Sequence, residues 1–230
     1  MFVVVFEVQP KKERWNDYLD LAKFLKPKLE GIDGFIDNER FVSKRTKGRL
    51  LSLSTWRDEK AVVRWRTQGE HHGVQEKGRF EIFEHYRLRV GEVTDDTDPP
   101  RGLTLAQQRF DETANPAAKA VSITELSPPE GDKQKVAAEY LAAKVGLDKR
   151  ARDLVDHEIY ESINNPGKLL LLATWRTAEA AGQWTPVATE NLGTLRHRRV
   201  RVIRDYGMMD RNEAPQFYPE VKRAHGVAAG

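Results

Sequence analysis

Aromatic and imidazole side chains that can do chemistry lie close together in the first third of the chain. Trp65 is followed by the adjacent pair His71 and His72. A tryptophan on a helix either packs in the core or forms a wall against which a flat ligand stacks. Neighbouring histidines on a helix point about 100° apart, so this pair cannot hold one metal ion together. One of them is instead a candidate base or hydrogen-bond donor in a pocket, with a surface position as the alternative.

Carboxylates on predicted strands form the second group of candidates. Glu7 lies on the first strand, and Glu39 and Glu158 alternate with Phe41 and Tyr160 on the second strand of each copy. A carboxylate that faces a cavity acquires a raised pKa and can act as a base. For Glu39 and Glu158 we favour an ion pair with an arginine of the next strand, Arg57 or Arg176. Glu7 has the same two interpretations with fewer constraints.

Several classes of function lack the residues that they need. The chain of 230 residues has no cysteine, which excludes thiol catalysis, thiolate zinc sites and cysteine-ligated iron–sulfur clusters. It also has no glycine-rich phosphate loop, nucleophile elbow or dense cluster of metal ligands, so no metal, nicotinamide or flavin is predicted. The 38 basic and 35 acidic residues leave a net charge of +3. The basic run 196–204 alternates like a strand, which argues against nucleic acid as a partner.

The apolar stretches are short. None approaches the roughly 20 residues that cross a bilayer, and no basic segment precedes the first apolar run as in a secretion signal. The sequence therefore predicts a cytoplasmic protein with no membrane contact.

The chain contains an internal repeat. When residues 35–65 are compared with residues 154–184, a shift of 119, twelve of the 31 positions are identical. Ordinary residue usage gives about two matches by chance. The identities include two tryptophan pairs in register, Trp56 with Trp175 and Trp65 with Trp184. The sequence therefore arose by duplication of a unit of about a hundred residues.

Each copy has the same order of predicted elements, strand–helix–strand–strand–helix–strand. This βαββαβ order is the ferredoxin-like arrangement. Asp58 is placed to cap the second helix of the first copy, which we expect to run through Trp65. In the second copy Pro186 follows soon after Trp184, so the corresponding helix should stop there.

The organisation of the chain follows from the repeat. We predict a first domain over 1–93, an acidic and proline-rich linker over 94–118, a second domain over 119–207 and a tail over 208–230. The run 169–173 is apolar at every position, which indicates a strand covered on both faces. Helices cover only one face of such a sheet. We therefore expect the two halves to pack sheet to sheet.

The residues resemble those of the antibiotic biosynthesis monooxygenase superfamily of dimeric α+β barrels. The resemblance rests on Phe35-Ile36, Glu39-Arg40-Phe41, Leu51–Glu59, Ala61, Trp65, Glu70-His71-His72, Tyr86–Val90 and Val202–Gly207. It covers most of both halves and is more specific for fold than for chemistry. It implies a fold of class α+β in which the usual homodimer is fused, so that two βαββαβ repeats form an intrachain pseudo-dimeric barrel.

Members of this family use two kinds of chemistry. Some oxygenate electron-rich aromatic molecules without metal or flavin, because the deprotonated substrate itself gives an electron to dioxygen. Others degrade haem with an asparagine on the first strand, a tryptophan on the second helix and a histidine ten residues later. Trp65 matches that tryptophan, but Gln75 stands where the histidine would be, and Glu7 is nearest to the asparagine position. The resemblance thus implies a cofactor-independent enzyme, with haem binding as the alternative.

The resemblance implies a monooxygenase whose partners are dioxygen and an aromatic or polyketide-like small molecule. Trp65 would be the stacking wall and His72 the base or orienting group, with His71, Gln75 and Glu7 as polar substrate contacts. A haem-degrading enzyme and a non-catalytic, ligand-binding pseudo-dimer are the alternatives. Further homodimerisation is compatible with each of the three.

The two copies differ where the site is expected. Trp184 repeats Trp65, but Asn191 stands at the position of His72 and cannot take a proton near neutral pH. The second copy has also lost seven residues after its tryptophan. Trp184 and Asn191 remain candidate substrate contacts, but we expect the amino-terminal copy to carry the working site.

Overall fold

Within the residues that the computed structural model describes, 1–129, 137–187 and 192–215, eight antiparallel strands close into one barrel. Their order around the barrel is β1-β3-β2-β6-β7-β5-β8-β4. The strands are β1 (Phe2–Pro10), β2 (Phe35–Ser43), β3 (Leu50–Trp56), β4 (Phe83–Asp96), β5 (Ala120–Ser127), β6 (Leu154–Ser162), β7 (Leu169–Trp175) and β8 (Thr194–Gly207). The predicted α+β pseudo-dimeric barrel is confirmed.

The helices lie outside the barrel. They are α1 (Trp15–Glu30), α2 (Glu59–Thr67), α3 (Gly69–Lys77), α4 (Leu141–Lys144) and α5 (Ala178–Gln183). As predicted, Asp58 caps α2, because its Oδ1 accepts a hydrogen bond from the Ala61 amide at 2.8 Å. The counterpart helix α5 stops ahead of Pro186 as expected, but it already ends at Gln183, so Trp184 lies just outside the helix and not on it as predicted. None of these helices is long and apolar enough to cross a membrane.

The two halves also join edge to edge, which the sequence did not predict. Strands β4 and β8 pair from Arg87 with Gly207 to Asp96 with Arg198. Strand β2 pairs with β6 over a short stretch, Phe41–Ser43. The apolar faces that needed covering thus become the interior of a closed barrel, in which β-branched, leucine and aromatic side chains of both halves pack together.

Two buried ion pairs inside the barrel are related by the pseudo-symmetry of the repeat. Arg89 pairs with Glu7 of its own half and donates a hydrogen bond to Thr174 Oγ1 of the other half at 2.8 Å. Arg198 pairs with Glu125 at 2.6 Å and donates to Thr55 Oγ1 at 3.2 Å. Because each arginine needs a hydroxyl from the opposite half, the network fixes how the halves meet.

The predicted partners of Glu39 and Glu158 were wrong. Glu39 pairs with Lys168 at 2.5 Å, and Glu158 lies 3.6 Å from Arg49. Both pairs cross from one half to the other, whereas Arg57 and Arg176 bind aspartates of their own halves. The error arose because β2 of the first copy pairs with β6 of the second. This pairing brings each glutamate closer to a basic residue of the other copy than to the predicted arginine of its own copy.

Candidate active site

A cavity of about 200 Å³ lies between the outer face of the first half of the sheet and the helices α1–α3. Its floor consists of outward-facing residues of five adjacent strands. The strand registers order these residues in two rows, Arg40–Ser52–Phe6–Leu88–Tyr206 and Asn38–Ser54–Val4–Val90–Arg204. Each row is polar at its β2–β3 end, apolar in the middle and polar again at β8.

The polar end of the floor is organised by local hydrogen bonds. The Asn38 side-chain amide donates to Ser52 Oγ at 3.0 Å and to the Leu53 carbonyl at 3.0 Å. Trp56 Nε1 donates to Ser54 Oγ at 2.9 Å. Both serine oxygens therefore accept a hydrogen bond and keep their own proton for donation.

Trp65 and His71 form one wall of the cavity. Their rings stack with centroids 4.0 Å apart and an angle of 15° between the planes. Gln68 has an extended backbone and separates helix α2 from helix α3. Its side chain caps α3 by accepting a hydrogen bond from the His71 amide at 2.6 Å. This short break is what turns the imidazole back onto the indole.

The ring of His71 is held in one tautomer. Its Nδ1 lies 2.8 Å from the Trp65 carbonyl oxygen, which only accepts hydrogen bonds, so we assign the proton to Nδ1. Nε2 is then an acceptor, 3.4 Å from the side-chain nitrogen of Gln75. Burial lowers the pKa of His71 to about 4, although the hydrogen bond to Trp65 acts in the opposite direction. The imidazole is therefore neutral near pH 7.

The charged residues that line the cavity are mostly basic. They are Arg40, Arg66, Arg204, Arg211 and Glu59. Glu59 is paired with Arg109, whose Nη1 lies 2.7 Å from it. Arg211 donates to the Tyr86 hydroxyl at 2.7 Å. The lining is thus apolar with an excess of positive charge, which favours an anionic or polar group on a largely apolar ligand.

Three of the residues proposed from the sequence line this cavity together, namely Trp65, His71 and Gln75. His72 is exposed on α3 and is not among the described residues that line the cavity. The geometry thus gives the inward position to His71 and not to its neighbour. The roles of all four residues in catalysis stay predictions.

The other proposed residues lie elsewhere. Glu7 faces the barrel interior, where it accepts a hydrogen bond from the Tyr160 hydroxyl at 2.7 Å and pairs with Arg89. The pKa of Glu7 is lowered: burial, the largest influence, raises it, but Arg89 and the hydrogen bond from Tyr160 outweigh burial. Trp184 packs against Trp175 and His197, with ring centroids 6.0 and 5.1 Å away. Asn191 lies outside the described residues.

Sequence reasoning missed the polar end of the floor. Asn38, Arg40 and Ser52 alternate with interior residues along β2 and β3, a pattern that is compatible with either face being covered. A comparison of the copies contained the missing information: Ile159 and Leu171 stand at the positions of Arg40 and Ser52. The polar pair is therefore specific to the first copy.

The cavity is small for a haem. Pockets for drug-sized ligands have volumes of roughly 300–1,000 Å³, and a porphyrin is larger than most such ligands. The cavity, with about 200 Å³, lies below this range. The cavity-lining imidazole of His71 has one face against the indole of Trp65, with ring centroids 4.0 Å apart, which narrows the cavity further.

Comparisons with known proteins agree with the geometry. The sequence profile described as antibiotic biosynthesis monooxygenase matches residues 1–77, the segment from β1 to the end of α3. The jasmonate monooxygenase ABM of Pyricularia oryzae (strain 70-15) is 42% identical over 224 residues, which cover 95% of this chain and 99% of that protein. The uncharacterised protein YqjZ of Bacillus subtilis (strain 168) is 29% identical over 92 residues, 40% of this chain and 78% of its own length.

A solved structure shares the fold. The crystal structure of an aldoxime dehydratase in complex with butyraldoxime superposes with a TM-score of 0.54 at 11% identity, covering 91% of this chain and 80% of that one. At this level of identity the likeness concerns the barrel alone.

Proposed function

The chain belongs to the antibiotic biosynthesis monooxygenase family, and we propose that it oxygenates a small, largely apolar molecule in the cavity beneath α1–α3. The observation that supports this site is the stacked pair of Trp65 and His71, which walls an apolar cavity in the segment that matches the family profile. The indole provides a flat apolar surface, and His71 Nε2 provides an acceptor beside it.

The size of the cavity limits the substrate. A volume of about 200 Å³ suits a molecule with one ring or a short chain better than a polycyclic aromatic polyketide. Jasmonate, which appears in the name of the relative at 42% identity, has this size and is the first compound to test. Dioxygen is the proposed second substrate.

We further propose that turnover needs no bound cofactor. For a CH₂ group beside a carbonyl, the substrate loses a proton and gives an electron to dioxygen, a C–O bond forms, and water leaves. The products are one carbonyl group and one water, so the four electrons that reduce O₂ come from the substrate. His71 Nε2 is the proposed proton acceptor; its pKa of about 4 makes it a weak base in the empty cavity, and an anionic ligand would raise that pKa.

Oxygen uptake with labelled dioxygen tests the proposal. Chelator-treated protein is mixed with jasmonate or with an anthrone, and the products are analysed by mass spectrometry after reaction under ¹⁸O₂. Incorporation of one labelled oxygen supports a monooxygenase, and its independence of added reductant supports the cofactor-free route. Ligand binding without oxygen uptake for both compounds would instead indicate a non-catalytic binding module.

The duplicated tryptophan offers a matched control. Trp65→Phe should lower kcat, because a smaller ring changes the surface on which His71 stacks. Trp184→Phe makes the same change at the equivalent residue of the other half and is the control, with a smaller effect on kcat expected. Equal effects of both substitutions on kcat, with unchanged melting temperatures, would contradict a site in the first half. Absence from membranes, a cytoplasmic location, lack of nucleic-acid binding and further homodimerisation stay predictions from the sequence.

A further inference from the structure

We propose that Arg40, together with Tyr18, binds the carboxylate of the substrate, so that the cavity selects small amphipathic monocarboxylic acids. This inference rests on the proposed function, because it concerns the same cavity. It assigns the orientation of the substrate: acid group at the β2–β3 end, apolar body over the middle of the floor.

Arg40 lies at one end of the row that crosses the cavity floor. Ser52 is its neighbour on β3, and Phe6, Leu88 and Tyr206 continue the row. Strands are spaced about 4.8 Å apart, so the centre of the row is roughly 10 Å from Arg40. A molecule held by its carboxylate at Arg40 would therefore lay its apolar part on Phe6 and Leu88.

The charge of Arg40 is not matched by a carboxylate of the described residues. Among the described residues it takes part in no ion pair, although it lines a cavity whose lining is mainly apolar. Its Nε is buried and has no hydrogen-bond partner among the residues that the structure describes. The buried side chain of Tyr18 lies close enough for the guanidinium to lower the pKa of its phenol, although burial, the largest influence, raises that pKa overall. Such a partly desolvated cation gains most from an anion that enters the cavity.

The polar groups at this end are arranged as donors. A guanidinium has only N–H donors, and the phenol of Tyr18 beside it, whose pKa is raised, keeps a proton that it can donate. Ser52 accepts from Asn38 and likewise keeps its proton. A carboxylate offers only acceptors, so it complements this set, whereas an alcohol, amine or ester does so less completely.

The repeat shows that the barrel does not need an arginine at this position. Ile159, the counterpart of Arg40 on β6, is 2% exposed and packs in the core of the second half. The register there pairs Ile159 with Leu171 as Arg40 pairs with Ser52. An apolar residue thus suffices for folding, and the cation of the first copy has a use that the second copy lacks.

The other cationic groups of the cavity are less suited to this task. Arg211 already donates to Tyr86. Arg204 lies on β8, at the opposite end of the second row, and Arg66 is on α2 in the roof. These positions are separate enough for substitutions to distinguish them.

Binding of matched acid and ester pairs tests the proposal without relying on catalysis. The probes are jasmonate with methyl jasmonate and octanoate with methyl octanoate, measured by calorimetry on the full chain. Wild-type protein should bind each acid more tightly than its ester. Arg40→Met should weaken acid binding by roughly 10- to 100-fold, leave ester binding within about threefold, and Arg40→Lys should restore part of the difference. Arg101→Met, which changes an exposed arginine outside the cavity, is the control.

Each result supports or overturns the assignment. Equal binding of acid and ester by the wild type overturns it, and so does loss of the acid preference in Arg204→Met but not in Arg40→Met. If Arg40→Met melts at a lower temperature than the wild type, acid and ester binding are compared between Arg40→Lys and the wild type instead. A weaker acid preference in Arg40→Lys then supports the assignment, and an unchanged preference contradicts it. Acid-selective binding through Arg40 without incorporation of labelled oxygen would leave the anchor standing and reject the monooxygenase proposal.

Discussion

Protonation of His71 should make the fold less stable as the pH falls, by an amount that the burial of its ring predicts. The folded protein holds the pKa of His71 at about 4, and the unfolded value is 6.5. Because the folded pKa is the lower one, protons bind preferentially to the unfolded chain. The stabilising effect of the neutral ring is therefore complete above the unfolded pKa and is lost as the pH falls from about 6.5 towards 4.

The magnitude follows from the same two values. Between about pH 7.5 and about pH 5, His71 alone should lower the free energy of unfolding by about 2 kcal/mol. His71→Asn retains a donor for the Trp65 carbonyl but cannot be protonated, so the difference in stability between wild type and variant should change by this amount. Taking the difference cancels the contribution of carboxylates, which also titrate in this range.

Urea unfolding followed by circular dichroism at several pH values measures this difference. His72→Asn is the matched control, because it removes the exposed imidazole next in the chain. Parallel stability curves for wild type and His71→Asn would refute burial of His71, and equal changes for both variants would show that the wall of the cavity is not formed as described.

The remaining predictions concern the barrel. Arg89→Met should lower the free energy of unfolding by about 3 kcal/mol, because it leaves the carboxylate of Glu7 buried without its cation. The double variant Arg89→Met/Glu7→Gln should recover part of this loss in urea titrations. An unchanged urea midpoint for Arg89→Met would contradict the buried ion pair. Gly91→Ala should lower the free energy of unfolding by about 1–3 kcal/mol in the same assay, because the added Cβ would lie 2.8 Å from the Arg201 carbonyl oxygen where β4 pairs with β8. Wild-type stability of this variant would show that the two strands are less closely packed. Residues 1–98 expressed alone should dimerise or aggregate in size-exclusion chromatography, because half a barrel exposes the edges of β2 and β4; a stable monomer would reject this.

The repeat made much of the fold predictable. The order of strands, the cap at Asp58 and the end of the second copy's helix ahead of Pro186 depend on local residue types, and all three are found. Contacts across the seam were not predictable in the same way. Glu39 binds Lys168, which is far away in the sequence and near only because the barrel closes.

The site was predictable in its location and not in its detail. Trp65 and Gln75 follow from the resemblance, since they lie on helices that the family places over the sheet. Which of two adjacent histidines faces inward depends on the break at Gln68, a matter of one residue in the helix register. Arg40 could not be recognised because the lack of a carboxylate partner within the described part of the chain is a property of the tertiary structure.

The two halves share a backbone arrangement but have exchanged polarity on the outer face of the sheet. Where the first half has Phe6 and Leu88 in the middle of its floor, the register of the second half places Thr124 and His197. The corresponding space over the second sheet is occupied by packed apolar side chains of α4, α5 and the segments beside them. Cavities cost stability, so a barrel with one open and one filled half loses less than a barrel with two open halves. The ion pairs of Arg89 and Arg198, each completed by a threonine of the other half, connect the filled half to the open one, so the second copy stabilises the cavity to which it contributes few walls.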